Sequence, residues 1–346
     1  MAVRTLSRRQ LNRALLARQL LLDRARLTPP RAVERIAGLQ TQYAPSAYVG
    51  LWSRLQDFGR SQLTEALGRR TVVQATLMRS TIHIVARPDF WPIAAAIREI
   101  RRDWWLRVTS HTAGPAGMAA LAERVRELLA GGPLRRFDIV ASLGLDSTTW
   151  NGVGLWVDLV RVPPSGTWEQ RRADLYGLAD QWIGGGDVTA EDGALLLVRR
   201  YLKGFGPATR ASIQSFTGLS ASALDTALER LGPRLFTDED GGRLLDVPGG
   251  ALPDPGTPAP VRFLPTWDAT LLAHARRTGI LPEPYRPLVF STRTPQSVPT
   301  FLVDGEVAGT WRHRGGRVVV EPFEPLPERA RREVAEEAER LKAFHA

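Results

Sequence analysis

Gln40 and Gln42 stand two places apart in the stretch GLQTQYAPS, residues 38–46. An amide is no useful proton acceptor at neutral pH, so this pair is not a general base. Its carbonyl oxygens do accept hydrogen bonds. Two of them can aim one water and set partial negative charge beside a developing cation. Such a site suits a substrate whose leaving group departs with little help. The competing reading is that both amides decorate an exposed helix end.

Geometry decides between these readings. In an extended stretch, residues i and i+2 share one face. In a continuous helix they stand about 200° apart. Pro29 and Pro30 open a helix at its first turn, with Ala32, Val33, Ile36, Ala37 and Leu39 as its apolar positions. Pro45 disfavours helix at Ala44. The chain is therefore expected to leave the helix within or just after Gln40–Gln42, and the two amides can then act together.

The elements around the motif follow one plan. Residues 6–23 carry a helical spacing of leucines, and Ser61 is placed to cap a helix over 62–69. The β-branched run TVVQATLMRSTIHIVAR reads as a hairpin. Helices followed by a hairpin are the plan of a winged helix. The plan recurs with helices at 116–130, 136–143 and 147–160 and a strand-like 161–177. It recurs again from Glu191, with ALLLVRRYLKGF, RASIQSFTG, SASALDTALERL and the hairpin RLFTDEDGGRLLDV. After the linker LPDPGTPAP, the chain turns β-rich in VRFLPTW, PLVFSTR and TPQSVPTFLVDGEVAGTWRHRGGRVVVEPF, with turns at Asp304–Gly305 and Gly315–Gly316. ERARREVAEEAERLKAF closes it as a charged amphipathic helix. The expected fold is helix-rich α+β: three tandem winged-helix motifs plus a C-terminal β-sheet or barrel. The expected domains are 1–110, 111–188, 189–250 and 258–346.

Composition narrows the function. The chain has 346 residues, enough for several domains, with 43% hydrophobic and 24% charged residues. It holds no cysteine, which excludes disulfides, iron–sulfur clusters and thiolate zinc. His83, His111, His274, His313 and His345 show no metal-ligand spacing, so neither metal nor cofactor is expected. No apolar run approaches a membrane span. MAVRTLSRRQ lacks the apolar core of a secretion signal, and a cytoplasmic protein is expected. The formal charge is +10, which favours a polyanion, most commonly nucleic acid. Residues 1–100 hold 16 arginines and 6 acids, a net of +10, so the whole excess lies there.

GLQTQ, RSTIHIV, YLKGFGPATRASIQSFTGL and LVDGEVAGTW, in this order and spacing, resemble the AlkZ/YcaQ-like DNA glycosylases over essentially the whole chain. The resemblance implies hydrolysis of the N-glycosidic bond of alkylated, mostly cationic purines. Some members unhook interstrand crosslinks made by DNA-alkylating natural products. The family motif is Gln-x-Gln in the natural-product-resistance branch and Gln-x-Asp in the other. Gln40-Thr41-Gln42 matches the first, with Thr41 where an apolar residue is usual. The chemistry agrees. An N7-alkylguanine is already cationic and leaves readily through an oxocarbenium-like sugar. A double glutamine then predicts poor activity on undamaged purines.

Lyase-type glycosylases need an amine to form a Schiff base. The N-terminal region has no lysine; Lys203 and Lys342 are the only two in the chain. A monofunctional, water-using enzyme is expected, acting as a monomer on double-stranded DNA. Alternation in RSTIHIV places Arg79, Thr81 and His83 on one face, for DNA contact or simply for solvent. Arg312, His313 and Arg314 surround the Gly315–Gly316 turn and suit a groove. Lys203 and Arg210 flank the GFGPAT turn as phosphate contacts. Tyr43 and Asp268 are possible auxiliaries, although a cap or salt bridge would also explain Asp268. The rival function is a non-catalytic winged-helix DNA-binding protein or regulator.

Overall fold

A computed structural model of the chain describes residues 3–109, 113–275, 277–291 and 297–346. His111 and the TRTPQ part of the expected C-terminal strands lie outside them. The strands are β1 (Arg4–Leu6), β2 (Leu39–Gln40), β3 (Val72–Thr76), β4 (Ile82–Ala86), β5 (Leu134–Arg135), β6 (Leu159–Arg161) and β7 (Leu175–Leu178). They continue with β8 (Arg234–Asp238), β9 (Arg243–Asp246), β10 (Arg262–Leu264), β11 (Thr300–Val303), β12 (Glu306–Arg314) and β13 (Arg317–Pro322). They form three sheets within a mixed α+β fold.

The order helix, short strand, two helices, hairpin appears in the first part of the chain. Helix Pro29–Arg35 is followed by β2, helices Pro45–Arg54 and Arg60–Gly68, then β3 and β4. Helix Pro115–Leu129 leads to β5, helices Arg136–Leu143 and Ser147–Val153, then β6 and β7. Helix Ala190–Phe205 leads to an Ala208–Leu245 bridge, helices Arg210–Thr217 and Ala221–Leu231, then β8 and β9. The first two sets merge, because β3 pairs antiparallel with β6, giving one six-stranded sheet of order β2-β4-β3-β6-β7-β5. β1 joins the third set by parallel pairing with β8.

The local causes are ordinary. Thr189, Thr209 and Ser220 each cap a helix by accepting a backbone N–H three residues on. Pro45 does not end a helix, as the sequence suggested; it starts one, occupying a position whose N–H is unneeded. Arg87–Val108, a 22-residue helix with no counterpart in the expected plan, packs Phe90, Ile93 and Ile97 against the Ala194, Leu197 and Tyr201 side of helix Ala190–Phe205.

The C-terminal sheet is an open meander, β10-β11-β12-β13, and not a closed barrel: β10 and β13 remain its two edges. Both expected turns form. Asp304–Gly305 (φ 47 and 86) and Gly315–Gly316 (φ 57 and 71) take the left-handed backbone that two-residue hairpins require. Residues 287–289, part of a stretch expected to be β-rich, belong to a short helix, Arg286–Val289, with Pro287 in its first turn. The terminal helix Glu328–His345 lays Val334, Ala338 and Leu341 on a core with Phe263, Phe301 and Trp311.

Part of the N-terminal charge excess is matched by distant acids. Arg9 and Arg13 pair with Asp304, Arg18 with Asp246, Arg24 with Glu337 and Arg54 with Asp268. Five of the sixteen clustered arginines are thus paired with acids from beyond residue 240.

Candidate active site

The helix preceding the Gln40–Gln42 motif stops at Arg35. Ala37 (φ 63) and Gly38 (φ 89) then turn the chain into β2. Gln40 lies opposite His83 in the β2–β4 pairing, and the Thr41 N–H extends that pairing to the Ile82 carbonyl at 2.8 Å. The motif is therefore extended, not helical. Both glutamines meet the same segment, residues 79–82.

Arg79 Nη2 donates to Gln40 Oε1 at 2.8 Å, and the Ile82 N–H donates to Gln42 Oε1 at 2.6 Å. A guanidinium and a backbone N–H can only donate, so both amide orientations are fixed with oxygen toward this segment. One lone pair of each carbonyl is occupied by protein. Gln40 is buried, whereas Gln42 is exposed. Near them, Thr41 Oγ1 and His83 Nε2 are buried without a protein partner. Such orphans are uncommon and concentrate where a site handles water or ligand.

Arg79 is not on a DNA-facing strand. Met78–Ser80 is a 3₁₀ turn in which Arg79 and Ser80 have φ 53 and 56, so the expected alternation begins only at Thr81. The guanidinium stacks over Phe216, 4.5 Å from its centroid. Burial pulls its pKa down to about 10, which leaves it charged near neutrality. His83 is 2% exposed and no surface contact to DNA. Its Nδ1–H donates to the Thr81 carbonyl at 3.0 Å. Burial first, and then the charge of Arg79, hold it down to about 3, so it is neutral and carries no proton for catalysis. Thr81 is half-buried, and its hydroxyl donates to the Met78 carbonyl at 3.1 Å.

The other expected residues are scattered. The Tyr43 hydroxyl accepts from Arg171 at 2.9 Å on the surface. Asp268 is fully buried and takes two 2.8 Å hydrogen bonds from Arg54, besides capping Thr270. The Arg54 charge and these bonds overcome the burial that would raise its pKa, and hold its carboxyl below the usual range. It is a structural ion pair and no auxiliary. Arg210 is held by Asp225 at 2.8 Å. Lys203 is exposed at the end of its helix. Arg312 pairs with Glu321 at 2.6 Å, and His313 stacks on His345 at 4.2 Å. Arg314 and Arg317 face each other beside the Gly–Gly turn, both exposed.

A cleft of about 500 Å³ opens beside Gln42, between the β3–β4 hairpin, the long helix Arg87–Val108 and the second set of elements. Trp104, Trp105, Trp150, Arg101 and Arg161 line it. None of these entered the sequence reading. The run REIRRDWW held the signal, but nothing in one sequence ties Trp104 to Gln42. No group of metal-binding side chains is found among the described residues. No helix of the described chain is long and apolar enough to cross a membrane.

The family model described as "DNA glycosylase AlkZ-like" matches residues 33–344. No curated protein matches the sequence. Among solved structures, the chain is similar to Streptomyces sahachiroi DNA glycosylase AlkZ, with a TM-score of 0.80 and 21% identity, over 98% of this chain and 97% of that one. At that identity the likeness is one of fold.

Proposed function

We propose, since this chain belongs to the AlkZ-like DNA glycosylase family, that it hydrolyses the N-glycosidic bond of bulky or crosslinking N7-alkylated purines in double-stranded DNA and leaves an abasic site. The observation that carries this reading is the pair of fixed amides: Gln40 and Gln42, extended, oxygen-oriented and facing one segment. Each carbonyl keeps one lone pair for a water. Their partial negative charge favours the sugar cation that forms as the base departs. Neither side chain titrates, and neutral His83 supplies no acid. The leaving group must therefore already be activated, as a cationic N7-alkylpurine is.

The reaction is monofunctional in this reading. No lysine precedes Lys203 in the sequence, and Lys203 lies in the third set of elements, away from the glutamines in the chain; water is the nucleophile in this reading. The three repeats of helices and hairpin are read as winged helices, with the first supplying the glutamines. We read the β12–β13 hairpin, with Arg314 and Arg317 free of carboxylate partners, as a phosphate or groove contact. The protein works as a monomer, and resistance to DNA-alkylating natural products is the role that the Gln-x-Gln motif favours.

The test is a strand-cleavage assay. Duplexes with one N7-methylguanine or one bulky N7-guanine adduct are incubated with the enzyme and treated with hot alkali. A break at the lesion that Gln40→Ala/Gln42→Ala loses supports the reading. Tight DNA binding with no break on either duplex supports a non-catalytic binder instead.

A further inference from the structure

We propose that Arg277 binds a backbone phosphodiester of the damaged strand, beside the nucleotide held at Gln40. The inference rests on the glycosylase reading above and adds to it a residue that positions the substrate.

Fixed placement comes first. The Tyr201 hydroxyl donates to the Ala273 carbonyl at 2.8 Å, and the Ala275 N–H donates to Ser212 Oγ at 3.1 Å. These bonds tie the chain just before Arg277 to helices Ala190–Phe205 and Arg210–Thr217. On the other side, the Ile280 and Leu281 N–H groups donate to the Arg277 carbonyl at 3.0 and 2.8 Å, and both of those side chains are buried. A binding group works best on backbone held in this way.

The guanidinium so placed has nothing in the protein to bind. Arg277 is half-buried and lies over Phe290, 4.3 Å from the ring centroid. Its Nε–H is buried without an acceptor. Among the described residues the guanidinium has neither a hydrogen-bond acceptor nor a carboxylate in ion-pair contact. Glu283, the acid whose charge reaches it, is already paired with Arg286 at 3.2 Å. A partly buried cation without a partner is costly, and a phosphate oxygen would complete it. The planar fork of arginine matches phosphate in shape as well as charge.

The surroundings connect this group to the reaction. Burial first, and then the charge of Arg286, hold the Arg277 pKa down, with Glu283 opposing them. The Arg277 charge in turn adds to burial in lowering the pKa of Arg79, the residue that fixes Gln40 Oε1. Arg79, Arg277 and Arg286 thus share one carboxylate, and an anion relieves their repulsion. A nucleotide presented at Gln40 carries a phosphate on each side of its sugar. Arg277 is a cation without a protein partner on the Arg79 side.

The experiment uses duplexes with one N7-methylguanine and, in turn, an uncharged methylphosphonate at each linkage flanking the lesion. Single-turnover excision by the wild type is measured, and affinity in the Gln40→Ala/Gln42→Ala background. One linkage should cost about 10-fold in both, as for loss of a charge-assisted hydrogen bond. Arg277→Gln should lose about as much on the native backbone and then be indifferent to that linkage. Arg277→Lys, which keeps the charge, should remain sensitive to it. A role in folding alone would lower the signal equally on every duplex. If no linkage costs the wild type anything, or if Arg277→Gln shares the cost, the inference is overturned; excision in that case leaves the glycosylase reading standing. If nothing is excised but affinity shows the coupling, the phosphate site stands and the hydrolysis reading falls.

Discussion

Arg79 holds Gln40 by a 2.8 Å hydrogen bond while its guanidinium lies over Phe216 of helix Arg210–Thr217. One side chain thus links a glutamine of the first set of elements to the third. Its backbone is left-handed, at φ 53, a conformation a non-glycine residue adopts at some cost. The strain and the stacking serve one result, an amide oxygen with a defined direction.

Replacing Arg79 tests that role. Arg79→Met keeps the length and apolar contact but frees the Gln40 amide to rotate. Misplacement on the order of 1 Å costs about 10²-fold in rate. Single-turnover excision should fall by about that factor, while DNA affinity changes little. An equal loss in affinity would make Arg79 a DNA contact after all.

His83 gives the pH prediction. It is neutral above about 3, and the glutamines do not titrate. The excision rate should therefore be flat from about pH 6 to 9, with no inflection near the ordinary histidine pKa of about 6.5. A bell-shaped profile would assign catalysis to a titrating group.

The same histidine affects stability with a definite sign. Its folded pKa is depressed below the unfolded value, because burial opposes the charge. Between about pH 6.5 and 3 the unfolded chain binds a proton that the folded chain does not. Stability is thus complete above the unfolded pKa and falls as pH drops through this window. His274, held down to about 4 by burial, acts in the same direction. Urea melts at pH 7 and pH 5 should show the loss, and His83→Gln should reduce it.

Asp268 separates structure from catalysis. Asp268→Asn leaves the Arg54 charge buried and poorly matched, since both side chains are 1% exposed. Breaking such a pair costs about 3–5 kcal/mol. Tm should fall well below the wild type, while the excision rate at a temperature where the variant is folded stays unchanged. A rate loss in folded protein would return Asp268 to the site.

The hairpin prediction concerns salt. Arg314→Ala should reduce the slope of log affinity against log salt by about one and spare the rate at saturating enzyme. Arg312→Ala should do less, because Glu321 already holds Arg312.

Much of this was legible in the sequence. Turns written in glycine, such as Gly315–Gly316, and the capped start of the helix after Ser220 depend on neighbours in the chain and formed where expected, whereas Ser61 caps nothing, because its helix already begins at Arg60 behind Gly59. The helix was expected to run into Gln40–Gln42 and end there through Pro45; it ends at Arg35 instead, and a turn at Ala37–Gly38 sets the extended course of the motif. What failed depends on residues far apart. Alternation put His83 on a polar face, but β4 lies inside the six-stranded sheet between β2 and β3, and its His83 is 2% exposed and hydrogen-bonded to the Thr81 carbonyl. The N-terminal arginines suggested a basic surface, yet Asp246, Asp268, Asp304 and Glu337 come from more than 200 residues away to pair with them. The Gln42 cleft joins elements from both halves of the six-stranded sheet, and one sequence does not announce that pairing.

The most direct measurement is base release from a duplex carrying a single N7-alkylguanine, read as alkali-labile breaks and as free modified base. Wild type, Gln40→Ala, Gln42→Ala and the double variant are compared at equal DNA occupancy. Release by the wild type, and loss of most of the rate in each single variant, are the expected results. Release unchanged in the double variant would show that the two amides do not direct the water.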